Sequence, residues 1–142
     1  DDFNNIYISK RGIKIHLKIK NSIKGFKILG IENRIEQILA NLLDNSISFS
    51  DDNTTIYVEL DKDPKENVII MRVIDEGYGF KEKKMEKIFD RFYSNRPNKF
   101  GEHSGLGLNI VKNLVELHGG IIQASNNKNQ VGAKIEVRFP VA

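Results

Sequence analysis

The sequence contains no cysteine among its 142 residues. This absence excludes disulfide frameworks and thiolate metal sites, and it suits a reducing cytoplasm. No apolar run approaches the roughly 18 residues that a membrane-spanning helix needs. Residues 1–5 are acidic and polar, so they do not form a signal peptide. Because the chain does not begin with Met, we expect it to be a piece of a longer protein.

Charge of one sign is also scarce, since 22 basic residues against 19 acidic ones give a net charge of +3. The basic residues alternate with apolar and acidic ones, which argues against a nucleic-acid-binding stripe. We therefore expect no nucleic-acid partner, and no membrane contact by this chain. An apolar content of 39% and a charged content of 29% are typical of one globular domain.

Hydrophobic periodicity divides the chain into strands and helices. Residues 13–19 alternate apolar and polar, which is typical of a half-buried strand, whereas residues 32–48 have apolar residues at helical spacing. Further strands are predicted at 26–31, 54–60, 68–74, 121–125 and 133–139. Between them we expect a turn at 61–64, a short helix or turn at 83–92 and a mobile loop at 95–105. A second helix is predicted at 106–118, and Gly119 and Gly120 end it.

This order of elements predicts an α+β fold, a two-layer α/β sandwich in which helices pack on one face of a mixed sheet. We expect residues 13–142 to form the domain and residues 1–12 to be the remnant of a linker.

His118 lies in the last helical turn before Gly119, where a hydrogen bond to the helix end favours a structural role.

A first group of candidate site residues lies on the long helix. Asn41 and Asn45 are four residues apart and share a helix face, while Leu42 and Leu43 point toward the core. Amide oxygens combined with phosphate oxygens suit Mg²⁺, which takes few protein ligands. Two polar residues on an exposed helix face are the alternative interpretation.

A second group, Asp75, Gly77 and Gly79, directly follows an apolar strand. A carboxylate at a strand end can accept a hydrogen bond from an exocyclic amine, such as that of adenine. Glycines let a flat base approach the backbone closely. An ordinary turn with a solvated carboxylate would have the same sequence.

The third group begins the second helix and consists of Ser104, Gly105, Leu106, Gly107 and Leu108. Backbone amides at a helix N-terminus form an anion site. No Lys-Ser or Lys-Thr follows, so this is not a Walker loop, and the glycine spacing does not fit a Rossmann fold. A flexible hinge is the alternative.

In this order the three groups resemble the motifs of the GHKL ATPase superfamily. Residues 37–49 resemble its N box, residues 75–79 its G1 box, residues 88–93 an F box, and residues 104–108 its G2 box. The F box and the His-Gly-Gly sequence at 118–120 are similar to those of sensor histidine kinases. The resemblance covers about residues 13–140 and implies the Bergerat ATP-binding fold.

The resemblance also implies roles for individual residues. Asp75 would bind the adenine amino group, Asn45 would hold Mg²⁺, and Asn41 would lie beside the phosphates, which makes both asparagines the catalytic residues. The remaining nucleotide-binding positions would be Phe49, stacked on adenine, Gly77, Gly79, behind the ring, and Ser104, Gly105, Leu106, Gly107 and Leu108, along the triphosphate.

The sequence departs from the family pattern at two positions. His103 stands where the G2 box usually begins with glycine, and Ser48 stands where some relatives have a lysine near the phosphates. Arg96 and Lys99 would belong to a lid that orders over ATP, and its geometry depends on residue 103.

The implied activity is a protein histidine kinase that uses ATP and Mg²⁺. The γ-phosphate would pass to a histidine on a separate dimerisation domain of the same protein, and then to a response regulator receiver domain in two-component signal transduction. No phosphoacceptor motif occurs in this chain, so it should bind ATP without phosphorylating itself. We expect the domain to be cytoplasmic and its parent protein to be anchored in the inner membrane.

Two other functions are compatible with the same motifs. An anti-sigma-type serine kinase of this superfamily carries Glu at position 41, because a carboxylate can accept the proton of a hydroxyl. Asn41 cannot do so, which favours a histidine acceptor. A non-catalytic nucleotide-binding interaction module is the third hypothesis.

Overall fold

The computed structural model describes residues 3–8, 12–19, 32–63, 65, 67–77, 79, 85–90, 107–126 and 132–140. These residues form six strands, two α-helices and one 3₁₀ helix. Their order is β1 (Phe3–Ile8), β2 (Lys14–Ile19), α1 (Glu32–Phe49), β3 (Thr55–Asp63), β4 (Val68–Ile74), the 3₁₀ helix (Met85–Phe89), α2 (Gly107–Leu117), β5 (Ile121–Asn126) and β6 (Ala133–Pro140).

The six strands form one mixed sheet in the order β1-β2-β3-β4-β6-β5. Strands β2 and β3 are parallel, and every other neighbouring pair is antiparallel. The parallel pair requires a crossover connection, and α1 lies between these two strands in the chain. The predicted α+β sandwich with a mixed sheet is therefore confirmed.

One face of the sheet carries the hydrophobic core. The register places Val58 opposite Val73, and Val73 opposite Ile135, so these buried side chains form a row across three strands. Helices α1 and α2 cover this row and contribute the core residues Ile38, Leu42, Leu108, Val111 and Val115. Burying each such side chain contributes about 1.5–3 kcal/mol to the free energy of unfolding. This apolar face therefore supplies most of the stabilisation that holds the helices on the sheet.

The opposite face of the sheet carries charged side chains in register. Arg72 on β4 lies between Glu59 on β3 and Glu136 on β6. Its Nε donates to Glu136 Oε1 at 2.9 Å, and its Nη1 lies 3.6 Å from Glu59 Oε1. Arg138 Nε donates to the other Glu136 oxygen at 3.1 Å. Opposite charges directly across a sheet stabilise the pairing of its strands.

Two sequence predictions on strands change in the structure. The predicted turn at 61–64 is wrong for Asp61, Lys62 and Asp63, because β3 continues through them and pairs with β4 as far as Val68. Asp61 Oδ2 lies 3.9 Å from Arg72 Nη1, so the strand extension brings this carboxylate to the charged face. The predicted strand at 26–31 and the predicted loop at 95–105 lie outside the described residues.

The N-terminal residues also differ from expectation. Residues 3–8 form β1 and pair along their whole length with β2, from Phe3 opposite Ile19 to Ile8 opposite Lys14. This part of the predicted linker remnant is thus an edge strand of the sheet. The predicted boundary between residues 12 and 13 stays a prediction.

The end of α2 shows why two glycines follow His118. Gly119 has a φ of 75°, and Gly120 N donates to Val115 O at 2.9 Å, which is a Schellman ending. A Cβ on Gly120 would lie 2.6 Å from Arg138 O, so only glycine lets the chain pass this close to β6. His118 Nδ1 lies 3.0 Å from Leu114 O, which agrees with the structural role expected for it.

We expect Glu136→Gln to lower the free energy of unfolding at neutral pH by about 1 kcal/mol, because the two arginines lose their charged acceptor. Burial alone would raise the pKa of Glu136, but hydrogen bonds from Arg72 and Arg138 outweigh it and hold the pKa below its ordinary 4.5. The carboxylate therefore stabilises the fold above pH 4.5, and this contribution is lost as the pH falls through the lowered pKa.

Urea unfolding of wild type and Glu136→Gln, carried out from neutral pH to below pH 4.5, measures the difference in their free energies of unfolding. Glu116→Gln, the same change at an exposed position of α2, is the control and should stay within about 0.5 kcal/mol of wild type. A Glu136→Gln deficit that does not shrink on acidification would contradict this account.

Candidate functional site

Helix α1 carries both predicted asparagines. Ile38 and Leu42 are fully buried in the core and fix the rotation of the helix. Asn41 and Asn45 then share the adjacent face, with Asn41 half-buried and Asn45 only 2% exposed. An exposed polar face therefore does not describe Asn45, whose side chain faces the interior of the protein.

Asp75 directly follows β4 and is 3% exposed. Its backbone continues the pairing with β6, since its N–H donates to Ala133 O at 3.0 Å. Its Oδ1 accepts two backbone hydrogen bonds, from Gly77 N at 2.9 Å and from Ala133 N at 3.1 Å. The solvated turn that the sequence left open does not describe Asp75.

The electrostatic state of Asp75 reflects two opposed effects. Burial raises the pKa of its carboxyl group, and the hydrogen bonds from Gly77, Ala133 and Ser46 lower it without cancelling the effect of burial. A carboxylate has about four acceptor positions, and a buried one is strongly favoured by further donors. The arrangement can therefore accept a hydrogen bond from an amine that enters the site, which fits the exocyclic amine of adenine.

Gly79 lies close to the hairpin formed by β5 and β6. Its φ is 79°, and a Cβ there would lie 2.7 Å from Asn126 Oδ1 and 3.2 Å from Gly132 O. The sequence predicts that a glycine at this position lets a base lie close to the backbone. The structure shows a further reason, because neither the backbone conformation nor the neighbouring Asn126 leaves room for a side chain.

The start of α2 is fixed to the core and to the 3₁₀ helix. Leu108 is buried in the core, and Asn109 Nδ2 donates to Phe89 O at 3.1 Å. Among the described residues, no atom lies within 4 Å of the position that a Cβ on Gly107, the first residue of α2, would take. The first backbone amides of a helix favour an anion.

Several predicted residues cannot be placed. Ser104, Gly105 and Leu106 lie outside the described residues, as do Arg96, Lys99 and His103. Phe49 is the last residue of α1, and its side chain is outside the described part. Of the predicted residues that the structure describes, Asn45 on α1 and Asp75 after β4 are both buried, and Gly77 and Gly79 follow Asp75 in the chain.

One residue that binds the Asp75 carboxyl group is not predicted from the sequence. Ala133 acts through its backbone N–H, so its residue type carries no signal. Only the register of β4 against β6 reveals it.

A dedicated cation cage is not part of the described structure. Among the described residues, no three His, Cys, Asp or Glu side chains are grouped to hold a metal ion. The side-chain amide oxygens of Asn41 and Asn45, combined with phosphate oxygens, are a donor set that fits Mg²⁺. Neither helix in the described part of the chain is long and apolar enough to cross a membrane.

A separate cavity of about 440 Å³ lies beside the edge strand β5. It is lined by Phe89, Lys112, Gln123 and neighbouring side chains, and no predicted site residue within the described part of the chain is among them. Asp75 does not border this cavity.

The model of the histidine kinase-, DNA gyrase B- and HSP90-like ATPase family matches residues 30–142. The chain belongs to this family. This ATPase domain is 37% identical over 120 residues to the sensor protein ChvG of Agrobacterium fabrum, a match that covers 82% of the chain and 20% of that protein. It is also 37% identical over 112 residues to the sensor histidine kinase WalK of Bacillus subtilis, covering 77% of the chain and 18% of that protein.

Solved structures have the same fold as the ATPase domain. The catalytic domain of the histidine kinase ThkA superimposes with a TM-score of 0.74 at 25% identity, over 92% of this chain and 80% of that one. Full-length ShkA in complex with AMPPNP superimposes with a TM-score of 0.76 at 25% identity, over 94% of this chain and 26% of that one. The predicted histidine-kinase-type ATP-binding domain is confirmed, and the domain spans about a fifth of the length of the curated relatives it matches.

Two substitutions at Asp75 separate its structural role from its charge. Asp75→Ala leaves the buried N–H groups of Gly77 and Ala133 without their acceptor, so we expect a loss of about 2–4 kcal/mol in the free energy of unfolding. Asp75→Asn keeps a carbonyl acceptor and removes a buried charge, so it should stay within about 1 kcal/mol of wild type. Urea unfolding measures both, and an Asn variant as unstable as the Ala variant would contradict this assignment.

Proposed function

We propose that this domain binds ATP and transfers its γ-phosphate to a histidine on a separate dimerisation domain of the parent protein. The observation that carries the proposal is the buried Asp75 carboxyl group, whose Oδ1 accepts hydrogen bonds from two backbone amides. A buried acceptor of this kind suits the exocyclic amine of adenine. The family membership of residues 30–142 supports ATP as the nucleotide.

In this proposal the base lies at the loop that follows β4. Asp75 accepts from the amino group of adenine, and Gly77 and Gly79 form the backbone beside the ring. Phe49, at the end of α1, stacks on the base. The buried carboxylate can be used in this way because Oδ1 is already satisfied by Gly77 and Ala133, so the group keeps its orientation without a ligand.

The triphosphate lies between α1 and the start of α2. Asn45 holds Mg²⁺ together with phosphate oxygens, and Asn41 lies beside the phosphates. Gly107 and Leu108, with Ser104, Gly105 and Leu106, line the phosphates through backbone amides at the start of α2, where the helix dipole favours negative charge. Mg²⁺, when bound, neutralises the charge that develops on the transferred phosphoryl group.

The acceptor follows from the chemistry of Asn41. In the transfer, an imidazole nitrogen uses its lone pair to form a bond to the γ-phosphorus, while the bond to the bridging oxygen breaks and ADP leaves with that electron pair. A neutral imidazole nitrogen needs no base for this attack, whereas water or a serine hydroxyl does. The amide of Asn41 cannot accept a proton, which favours histidine as the acceptor and slow ATP hydrolysis.

The parent protein supplies the other partners in this proposal. The curated relatives are sensor proteins about five times longer than the part matched here. We place the phosphoacceptor histidine on a dimerisation domain of the same protein, and the next acceptor on the receiver domain of a response regulator. The domain works in the cytoplasm, where ATP is available, and the parent protein is anchored in the inner membrane.

Calorimetric titration with ADP tests the nucleotide site. We expect wild type to bind ADP more tightly with Mg²⁺ than without it, and Asp75→Asn to bind at least about tenfold more weakly, because a charged acceptor is lost. Glu76→Gln makes the same change at the next residue, which is exposed and accepts from Thr55 N at 2.7 Å. This control should bind ADP as wild type does, and equal binding by wild type and Asp75→Asn would contradict the proposal.

The acceptor is tested by mixing the domain with ATP and a histidine-containing dimerisation domain. The expected product is acid-labile, as phosphohistidine is, and Asn45→Ala should abolish its formation. An acid-stable product would favour the serine kinase instead. Rapid ATP hydrolysis by the wild-type domain alone would contradict the role assigned to Asn41.

A further inference from the structure

Asn109 is the third residue of α2, and its side chain contacts a different element of the fold. Its Nδ2 donates to Phe89 O at 3.1 Å, which joins two points 20 residues apart in the chain. Phe89 is the last residue of the 3₁₀ helix, and the last carbonyl groups of a helix have no partner within it. The Asn109 side chain therefore supplies a donor to the end of the 3₁₀ helix.

This hydrogen bond is the polar part of a contact that is otherwise apolar. Ile88 and Phe89 of the 3₁₀ helix belong to the same buried core as Leu108 and Val111 of α2. Apolar burial is non-directional, whereas a hydrogen bond requires a narrow range of distance and angle. Asn109 therefore restricts the position of the first turn of α2 against Phe89 more closely than the apolar contact alone.

The same turn carries the backbone amides that have no partner inside α2. The first N–H groups of an α-helix, here those of Gly107, Leu108 and Asn109, precede the intrahelical hydrogen bonds. In the proposed function the amides of Gly107 and Leu108 line the phosphates. Because Asn109 directly follows these two residues, its side-chain hydrogen bond fixes the turn to which both amides belong.

We propose that Asn109 is a positioning residue for the phosphates of the nucleotide. Its side-chain amide holds the first turn of α2 against the 3₁₀ helix, and this keeps the amides of Gly107 and Leu108 in place for phosphate oxygens. The side chain acts through the helix and does not itself contact the nucleotide. This inference rests on the proposed function, in which the phosphates lie at the start of α2.

The test compares two ligands that share a base and differ in their phosphates, ADP with Mg²⁺ and adenosine. Asn109→Ala should bind ADP about fivefold more weakly than wild type, the loss typical of one neutral hydrogen bond. It should bind adenosine within about twofold of wild type, because the proposed base contacts belong to the loop after β4. Chemical-shift titration of the domain measures both dissociation constants. Equal losses for both ligands, or no loss for either, would overturn the inference.

Asn113→Ala is the matched control, because it makes the same change one turn further along α2, at an exposed position. It should leave both affinities at the wild-type level. Asn109→Leu keeps a branched side chain without a hydrogen-bond donor, and it should reproduce the selective loss of Asn109→Ala. A Leu variant that binds ADP as tightly as wild type would contradict the role of the hydrogen bond.

Gly107→Pro separates this inference from the proposed function. Proline fits the first position of a helix but has no N–H, so this variant removes one of the amides assigned to the phosphates. If Gly107→Pro binds ADP as wild type does, the proposed phosphate site is wrong and the role of Asn109 falls with it. If Gly107→Pro weakens ADP binding and Asn109→Ala does not, the phosphate site stands and only the role of Asn109 is wrong.

Discussion

The hydrogen bonds to the Asp75 carboxyl group connect the sheet and the loop after β4. A carboxyl group that is 3% exposed is destabilising unless donors compensate for the lost water. Ala133 supplies one donor only because β4 and β6 pair in the observed register, and Gly77 supplies another only because the loop turns back at once. Strand register and loop conformation are thus linked at one side chain.

The two faces of the sheet stabilise different parts of the fold. The apolar face fixes both helices, because α1 contributes Ile38 and Leu42 to the same core that receives Val111 and Val115 from α2. The other face joins β3, β4 and β6 through Arg72 and its carboxylate partners. Since β4 and β6 also supply the groups around Asp75, ion pairs on the far face help to preserve the register on which the site depends.

The long helix and the strands with clear alternation were predictable from the sequence, since local periodicity reports which face is buried. Residues 32–48 were predicted as a helix, and α1 spans Glu32–Phe49. Asp61 was assigned to a turn because its local sequence is polar, and its partner Arg72 lies on another strand. Interactions between distant parts of the chain override local propensity there.

The candidate site shows the same limit. The sequence predicts Asn45 and Asp75 as site residues because their residue types, and their positions in a helical pattern and after a strand pattern, are visible in it. The backbone amide of Ala133 has no such signal, and it lies 58 positions from Asp75 in the chain.

The account as a whole depends on the claim that the buried carboxylate of Asp75 recognises the base of the nucleotide. A crystal structure of the domain with ADP and Mg²⁺ measures this most directly, through the distance from the exocyclic nitrogen of adenine to the nearer carboxylate oxygen of Asp75. The account predicts a separation of about 3 Å, the length of an N–H···O hydrogen bond. A base bound elsewhere, with Asp75 contacting only Gly77 and Ala133, would contradict it.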